Sequence, residues 1–175
     1  GYEVIALSDH DVLTGVPRAA AAAAAAGLTL VPAMEATSFV GFGTSEAEQW
    51  HVLAYYPPAT LRDGSLERGR LHRRGLLVQA RWRAFALSWI AEQAPEDRAA
   101  VAEEALRALA PAEFPGLLLL LDRLRARSAD LAQAFVRHHV RFWTEDRELF
   151  GWSPEELIDE IRGDGAVDVV RSEER

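Results

Sequence analysis

The sequence predicts a mixed α/β fold with a large helical segment, and three observations lead to this prediction. An apolar run, Val4–Leu7, is followed closely by an Asp-His-Asp triplet, Asp9–Asp11. An alanine-rich stretch separates this run from another apolar run, Leu28–Ala33, at the spacing of a β-α-β unit. From Leu61 onward the apolar residues recur at helical intervals up to about residue 150.

Composition limits the class of protein. The chain has 175 residues, 49% of them hydrophobic and 26% charged, which is typical of a soluble globular domain with a real core. No apolar run reaches the roughly 18 residues of a membrane helix, and no signal peptide is evident. With no cysteine there is no thiolate metal site, and we expect a cytoplasmic location. The net charge of −8 argues against broad nucleic-acid binding.

The first strand leads directly to metal-capable side chains. Val4–Leu7 is expected to be fully buried, because parallel strands covered by helices on both faces have near-continuous apolar sequences. Ligands of such sheets bind beyond the carboxyl ends of the strands, where Asp9–Asp11 would lie. Imidazole and carboxylate together suit Zn²⁺, Mn²⁺ or Fe²⁺. Taken alone, such a triplet after a strand is more often a turn that caps the start of a helix than a metal site.

The next segments bring two more candidate ligands to the triplet. Leu13–Gly27 is predicted to be a helix, with Thr14 as its N-cap and Gly27 just after its end. The right-handed crossover rule then makes the two strands parallel neighbours, which brings Glu35 next to the triplet. Glycines at 41 and 43 predict an antiparallel return over Trp50–Tyr56, which carries His51 to the same end of the sheet.

The rest of the chain divides into a helical segment and a return to α/β structure. Residues 61–150 are expected to form about four helices. Their shared core is expected to contain Trp82, Phe85, Trp89, Leu106 and Trp143. Ser153–Glu156 forms a capping-box sequence, and Ala166–Val170 is predicted to be a short strand. Residues 171–175 are expected to be a solvated tail. The predicted regions are therefore 1–60, 61–150 and 151–175.

Residues 2–56 resemble the metal site of PHP-domain phosphoesterases (the polymerase and histidinol phosphatase superfamily). The matching motifs are Ser8-Asp9-His10-Asp11, Leu13-Thr14-Gly15, Glu35 and His51-Val52-Leu53-Ala54-Tyr55. They are most similar to the subgroup with a helical insertion, which acts on nucleotide or RNA 5′ phosphates. The resemblance implies a partial PHP-type distorted (β/α) barrel with a large all-helical insertion.

The resemblance also implies roles for individual residues. His10 and His51 would be imidazole ligands and Glu35 a carboxylate that bridges two divalent ions, with His10 and Glu35 as the catalytic residues. Asp9 and Asp11 would support the site, since either could orient an imidazole N–H. The arginines at positions 73 and 74 are candidates for phosphate contacts. A solvated helical face is the alternative for the arginine run that contains them.

Two functions remain open at this stage. The first is a metal-dependent phosphoesterase that hydrolyses a phosphate ester of a nucleotide or short nucleic acid by metal-activated water. The second is a degenerate PHP domain with a structural or regulatory role. The family's upstream His-x-His and later Ala-His-Pro do not occur in the sequence, and because residue 1 is not Met we expect the native start upstream. This chain is therefore expected to bind metal weakly and to hydrolyse phosphoesters poorly.

Overall fold

A computed structural model describes residues 1–170, in which four strands form one mixed sheet. The strands are β1 (Val4–His10), β2 (Thr29–Val40), β3 (Glu48–Tyr55) and β4 (Val167–Val170), in the spatial order β1-β2-β3-β4. β1 and β2 are parallel, whereas β2–β3 and β3–β4 are antiparallel. This confirms the mixed α/β class, the parallel crossover and the antiparallel return. The expected tail at 171–175 lies outside the described residues.

The same 170 residues contain ten α-helices and one short 3₁₀ turn. The helices are α1 (Val16–Ala25), α2 (Thr60–Asp63), α3 (Ser65–Arg68), α4 (Arg70–Ala91), α5 (Pro95–Ala100), α6 (Glu103–Ala108), α7 (Leu117–Arg127), α8 (Ala129–Glu145), α9 (Arg147–Phe150) and α10 (Pro154–Gly163), and the 3₁₀ turn is Pro111–Glu113. Every element between β3 and α10 is helical. None of the helices described here combines the length and the apolar composition needed to cross a membrane.

Strand β1 lies at an edge of the described sheet, and the expectation that Val4–Leu7 is fully buried is wrong. Val4 is 55% exposed and Ile5 is 36% exposed, although Leu7 packs against the core. The reason is topological, because β1 pairs only with β2 among residues 1–170. An apolar run therefore indicated a strand correctly but not its burial.

Strand β2 is longer than the sequence indicated. It runs for 12 residues, so that Glu35 lies in its middle and not after its end. Thr37 and Ser38 are buried polar residues within the strand. The strand extends beyond the apolar run Leu28–Ala33 from which it was predicted, because its residues pair with β3 as far as Val40.

Helix α1 connects the parallel strands over the alanine-rich stretch. Its N-cap is Gly15, and the predicted cap Thr14 is wrong. Its end is as predicted, since Gly27 has φ +70° and follows the C-cap Ala26. Glycine adopts this left-handed conformation without the steric cost that a Cβ would bring, so the chain can turn directly into β2.

The described residues form two compact units, one of Gly1–Val78 with residues 147–170, the other of Gln79–Asp146. In the first unit α1 and α10 pack on one face of the sheet. This core alternates along the strands, as a half-buried sheet requires, and its strand members are Leu30, Met34, Ala36, Val52 and Ala54. Val16 of α1 and Leu157 of α10 complete it, both at most 1% exposed.

The capping box at the start of α10 is confirmed. Ser153 Oγ accepts a hydrogen bond from the Glu156 backbone N–H at 3.2 Å, and the Glu156 carboxylate accepts one from the Ser153 N–H at 2.8 Å. Reciprocal bonds of this kind satisfy two backbone donors that the helix itself leaves without partners. The helix therefore begins at a fixed point, which directs Leu157 onto the sheet.

The second unit has an aromatic core of its own. The Trp82 ring lies 5.9 Å from Phe135 and 5.3 Å from Phe142, centroid to centroid. Leu106 is fully buried, as expected, whereas Trp143 is only half-buried and its neighbour Phe142 takes the core position. The compact unit starts at residue 79, while the sequence set the boundary of the helical segment after residue 60.

Candidate metal centre

Strand register brings His10, Glu35 and His51 to one face of the sheet. His10 lies opposite Glu35 in the parallel ladder, and His51 lies opposite Thr37 in the antiparallel ladder. Glu35 and Thr37 are two residues apart on β2, so their side chains share a face. Diagonal cross-strand neighbours on one face lie within reach of long side chains. The Glu35 carboxylate therefore lies on the same face as the two imidazoles.

The three side chains are close enough to share an ion. Each offers one ligand atom, and these atoms all lie within 4.8 Å of one another. His51 Nδ1 is 3.4 Å from Glu35 Oε1, and the His10 and His51 rings meet edge to face with centroids 4.7 Å apart. The structure thus brings together the three residues that the sequence nominates as ligands.

This arrangement fits a divalent transition metal. Two atoms that each lie about 2.1 Å from one ion are at most about 4.2 Å apart, so the separations here need only a small adjustment of the side chains. Two imidazoles and one carboxylate are a donor set typical of Zn²⁺, Mn²⁺ or Fe²⁺. The site is also accessible, because the side chain of His10 is 43% exposed. A catalytic ion needs such an open side for water or substrate.

Asp11, the turn residue after β1, is fully buried beside this site. Its φ is +56°, a left-handed conformation that is uncommon for residues other than glycine. Its carboxylate accepts hydrogen bonds from Thr37, from the backbone N–H at 2.8 Å and from the hydroxyl at 2.6 Å. The oxygen that receives the hydroxyl also lies 2.8 Å from His10 Nδ1. With Nδ1 donating to Asp11, Nε2 is the nitrogen of His10 with a lone pair for a metal.

His10 and Asp11 each stabilise the charged form of the other. Burial disfavours the charged imidazolium and lowers the pKa of His10, but the hydrogen bond and the negative charges of Asp11 and Glu35 outweigh it, so that the pKa ends above its ordinary value. Burial likewise raises the pKa of Asp11. The bond to His10 and the positive charge of Arg74 outweigh that effect, and the pKa of Asp11 ends below its ordinary value. Asp11 is therefore a carboxylate at neutral pH.

Arg74 lies behind Asp11 and is itself buried. Its Nε donates to the Leu149 carbonyl and its Nη2 to the Thr37 carbonyl, both at 2.8 Å. Nη1 is 3.3 Å from Asp11 Oδ1, and the guanidinium lies 4.9 Å from the centre of the Trp152 ring. Burial lowers the pKa of Arg74, and the charge of Asp11 opposes this. These contacts favour a structural part for Arg74, and its phosphate-binding role stays a prediction.

Arg73 is exposed on the same helix, α4. Its Nη1 donates to the Arg68 carbonyl at 2.7 Å. Next to it lies a cavity of about 330 Å³ whose lining residues are Arg70, Arg73, Arg74, Leu77, Glu148, Leu149 and Trp152. Three arginines against one glutamate make this cavity basic. A phosphate contact by Arg73 stays a prediction, and it is compatible with this environment.

Asp9 does not lie with the three candidate ligands. Side chains alternate along β1, so Asp9 is on the opposite face from His10. There its carboxylate lies against Gly15, where a Cβ would be only 2.4 Å from Asp9 Oδ2. The sequence-based expectation that either aspartate could support an imidazole is thus corrected in favour of Asp11. Strand periodicity alone could not have separated the two, because each is one residue from His10. Asp11 differs because it lies in the left-handed turn after β1.

Sequence reasoning missed two polar residues of this region. Thr37 holds Asp11, and only its position two residues after Glu35 in a strand signalled that it shares the face of the site. The side-chain amide nitrogen of Gln49 lies 3.0 Å from His51 Nε2, again two residues away on one strand. The two ring nitrogens of His51 thus face Glu35 and Gln49.

Comparison with known proteins identifies structural neighbours only. No protein-family model matches the sequence, and no curated protein matches it. An amidohydrolase from Chromobacterium violaceum, solved with bound sulfate and no metal, is similar at 22% identity and a TM-score of 0.53, over 96% of this chain and 56% of that one. A Bifidobacterium adolescentis protein assigned as a metal-dependent phosphoesterase is similar at 20% identity and a TM-score of 0.54, over 97% and 56%.

These likenesses show a shared fold. The chain has the α/β architecture of an amidohydrolase and of an assigned metal-dependent phosphoesterase. It spans 56% of the length of each of these two structures.

Proposed function

We propose that this chain carries part of the active site of a metal-dependent phosphoesterase of the PHP type. The observation that carries the proposal is the convergence of His10, Glu35 and His51, whose ligand atoms lie within 4.8 Å of one another. The fold shared with a protein assigned as a metal-dependent phosphoesterase supports it. A PHP-type distorted barrel, completed by more chain than the described sheet, belongs to the same proposal.

The candidate ligands bind through defined atoms. His10 binds through Nε2, because its Nδ1 is engaged by Asp11. His51 presents Nδ1 on the side of the Glu35 carboxylate. Glu35 itself can bridge two ions with its two oxygens. Ions so held would polarise a phosphoryl oxygen and lower the pKa of a bound water, which is the chemistry of metal-assisted hydrolysis.

The surrounding residues would orient this site and receive protons. Glu35 is the carboxylate that clusters with both imidazoles, and it is the group that would accept a proton from water at this position. Asp11 holds the His10 ring through Nδ1 and stays buried. The exposed side of His10 leaves a path for a substrate.

The substrate class proposed is a small phosphorylated molecule, a nucleotide or the 5′ end of a short nucleic acid. Arg73 beside the basic cavity is the candidate for a contact to its phosphate. The net charge of −8 is consistent with a small substrate, because long nucleic acids need extended basic surfaces.

Calorimetric titration of the chelator-treated chain with Mn²⁺ and Zn²⁺ tests the metal site. We expect saturable binding that His10→Ala, Glu35→Gln and His51→Ala each weaken at least about 10-fold, since each removes one ligand. His139→Ala is the matched histidine control, because that ring binds the Val136 carbonyl in the second unit. Equal binding by the parent chain and all three site variants would contradict the site.

Phosphate release from a nucleotide 3′,5′-bisphosphate, with and without Mn²⁺, tests the reaction. Metal-dependent release that is lost in the three site variants supports the phosphoesterase. Metal binding with no release, also after the chain is extended upstream, favours the alternative of a PHP domain that has kept its site for a structural or regulatory role. Release that the site variants leave unchanged would contradict the proposed residues.

A further inference from the structure

Helix α4 makes a close backbone approach to the turn that follows His10. A Cβ placed on Gly75 would lie 2.8 Å from the carbonyl oxygen of Asp11 and 3.2 Å from Val12 Cα. Real Cβ atoms do not approach backbone this closely, so only glycine fits. The helix thus lies directly against the turn, and the residue before this glycine is Arg74.

Arg74 contacts both Thr37 and Asp11. Its Nη2 donates to the Thr37 carbonyl at 2.8 Å, and its Nη1 lies 3.3 Å from Asp11 Oδ1. Thr37 in turn donates its own N–H to the same Asp11 oxygen at 2.8 Å. Arg74, Thr37 and Asp11 therefore form a closed network in which each member contacts the other two.

This network fixes which carboxylate oxygen faces His10. Oδ1 accepts the Thr37 N–H and lies 3.3 Å from Arg74 Nη1, and Oδ2 is the oxygen directed at His10 Nδ1, 2.8 Å away. A carboxylate in that place favours the tautomer with its proton on Nδ1. Nε2 then carries the lone pair that a metal would use.

The alternative role for Arg74 is a direct phosphate contact, and its surroundings oppose this role. Two of its nitrogens donate to backbone carbonyls, and Nη1 makes an ion-pair contact with Asp11 Oδ1 at 3.3 Å without a hydrogen bond. The side chain is only 5% exposed. A phosphate would have to displace a buried ion pair to reach this guanidinium, whereas the exposed Arg73 is available without such a change.

We propose that Arg74 is a positioning residue of the metal centre, which sets Asp11 and, through Asp11, the tautomer and ring orientation of His10. The inference deepens the proposed function and rests on it for the metal. The tautomer itself is a property of the metal-free chain. Without the guanidinium, Asp11 is a buried carboxylate that has lost the charge of Arg74 and is held only by Thr37 and by the His10 ring itself.

Nitrogen-15 NMR of the imidazoles in metal-free protein tests the proposal, at a pH where the rings are neutral. The signals of His10 are identified by their loss in His10→Gln. We expect the parent chain to show the Nδ1–H tautomer, and Arg74→Met to populate the Nε2–H tautomer clearly. Arg74→Lys keeps a charge but not the planar fork, so we expect only partial restoration. Arg74→Met should also weaken Zn²⁺ binding by about 10-fold or more.

Three further variants separate positioning from general stability. Leu157→Ala lowers stability through a cavity in the same core and should leave the His10 tautomer unchanged. Arg73→Met should leave it unchanged as well. In an Asp11→Asn background, Arg74→Met should add no further effect on the tautomer, since the two act through one contact.

An unchanged His10 tautomer in folded Arg74→Met would overturn the inference, and so would an equal shift in Leu157→Ala. A parent chain that binds no metal would contradict the proposed function and still leave the tautomer measurement decisive for Arg74.

Discussion

The backbone N–H of Asp11 donates to the carbonyl of Glu35 at 2.8 Å. This bond continues the β1–β2 ladder one residue beyond His10, which pairs with Glu35 itself. The left-handed turn therefore begins at a residue whose backbone is still hydrogen-bonded to β2. Two candidate metal ligands on different strands are thereby fixed opposite each other by backbone contacts.

The two aspartates that flank His10 are predicted to differ in effect. Asp11→Asn should weaken Zn²⁺ or Mn²⁺ binding by about 10- to 100-fold, because it weakens the carboxylate support of the His10 ring. Asp9→Asn should leave metal binding unchanged, because Asp9 lies on the opposite face beside Gly15. Isothermal titration of both variants checks this, and equal losses would show that the face assignment is wrong.

The resemblance to PHP-domain motifs nominates the three ligands, and two local signals, β-α-β geometry and a glycine-rich return, predict that they converge. Parallel strands set His10 beside Glu35, and an antiparallel strand returns His51 to them. The burial of β1 could not be predicted in the same way. An apolar strand has the same sequence at an edge as in the middle, and its neighbours are decided by the whole topology.

Gly75→Ala is predicted to destabilise the protein by about 1–3 kcal/mol, although alanine is the better helix former. The new methyl group would meet the Asp11 carbonyl oxygen at 2.8 Å, and backbone cannot move aside as a side chain can. Gly163→Ala at the end of α10 is the control, since nothing lies within 4 Å of its Cβ position. Thermal unfolding checks the pair, and an equally stable Gly75→Ala would show that α4 does not press on this turn.

The role of Arg74 could not be read from its sequence context. It belongs to a run of arginines on a helix, and such a run usually lies on a solvated face, as Arg73 does. Arg74 differs because it contacts Asp11, which lies 63 positions earlier in the chain. Sequence periodicity gives no information about contacts between residues so far apart in sequence. The glycine that follows it was the one local signal of a close approach.

Thr37→Val is predicted to cost about 1–2 kcal/mol of stability and to loosen the His10 site. Valine keeps the shape of the side chain and the backbone N–H bond to Asp11, but the 2.6 Å hydroxyl bond to Oδ2 is lost. Thr60→Val is the comparison, because the Thr60 hydroxyl bonds only the nearby Pro57 carbonyl. Both variants should unfold at lower temperature, but only Thr37→Val should weaken metal binding, which titration checks.

The second unit offers a prediction about pH, centred on Glu103 at the start of α6. The preceding residue, Ala102, has φ +58°, so the helical path is interrupted between α5 and α6. Glu103 is only 4% exposed and bonds Arg98 on α5 and Arg107 on α6, the latter at 2.6 Å. The carboxylate thus joins the two helices across the interruption.

The bonds from Arg98 and Arg107 hold the pKa of Glu103 below its ordinary value, although burial opposes them. A carboxyl group whose pKa is lower in the folded than in the unfolded protein stabilises the fold above the unfolded value of about 4.3. This stabilisation is lost as the pH falls through the folded pKa. Glu103→Gln should therefore unfold at a lower temperature than the parent at pH 7, and the difference should shrink below about pH 4. Melting curves across this range check it against Glu104→Gln, whose side chain is exposed on the same turn. A difference that stays constant with pH would show that the charge of Glu103 does not contribute.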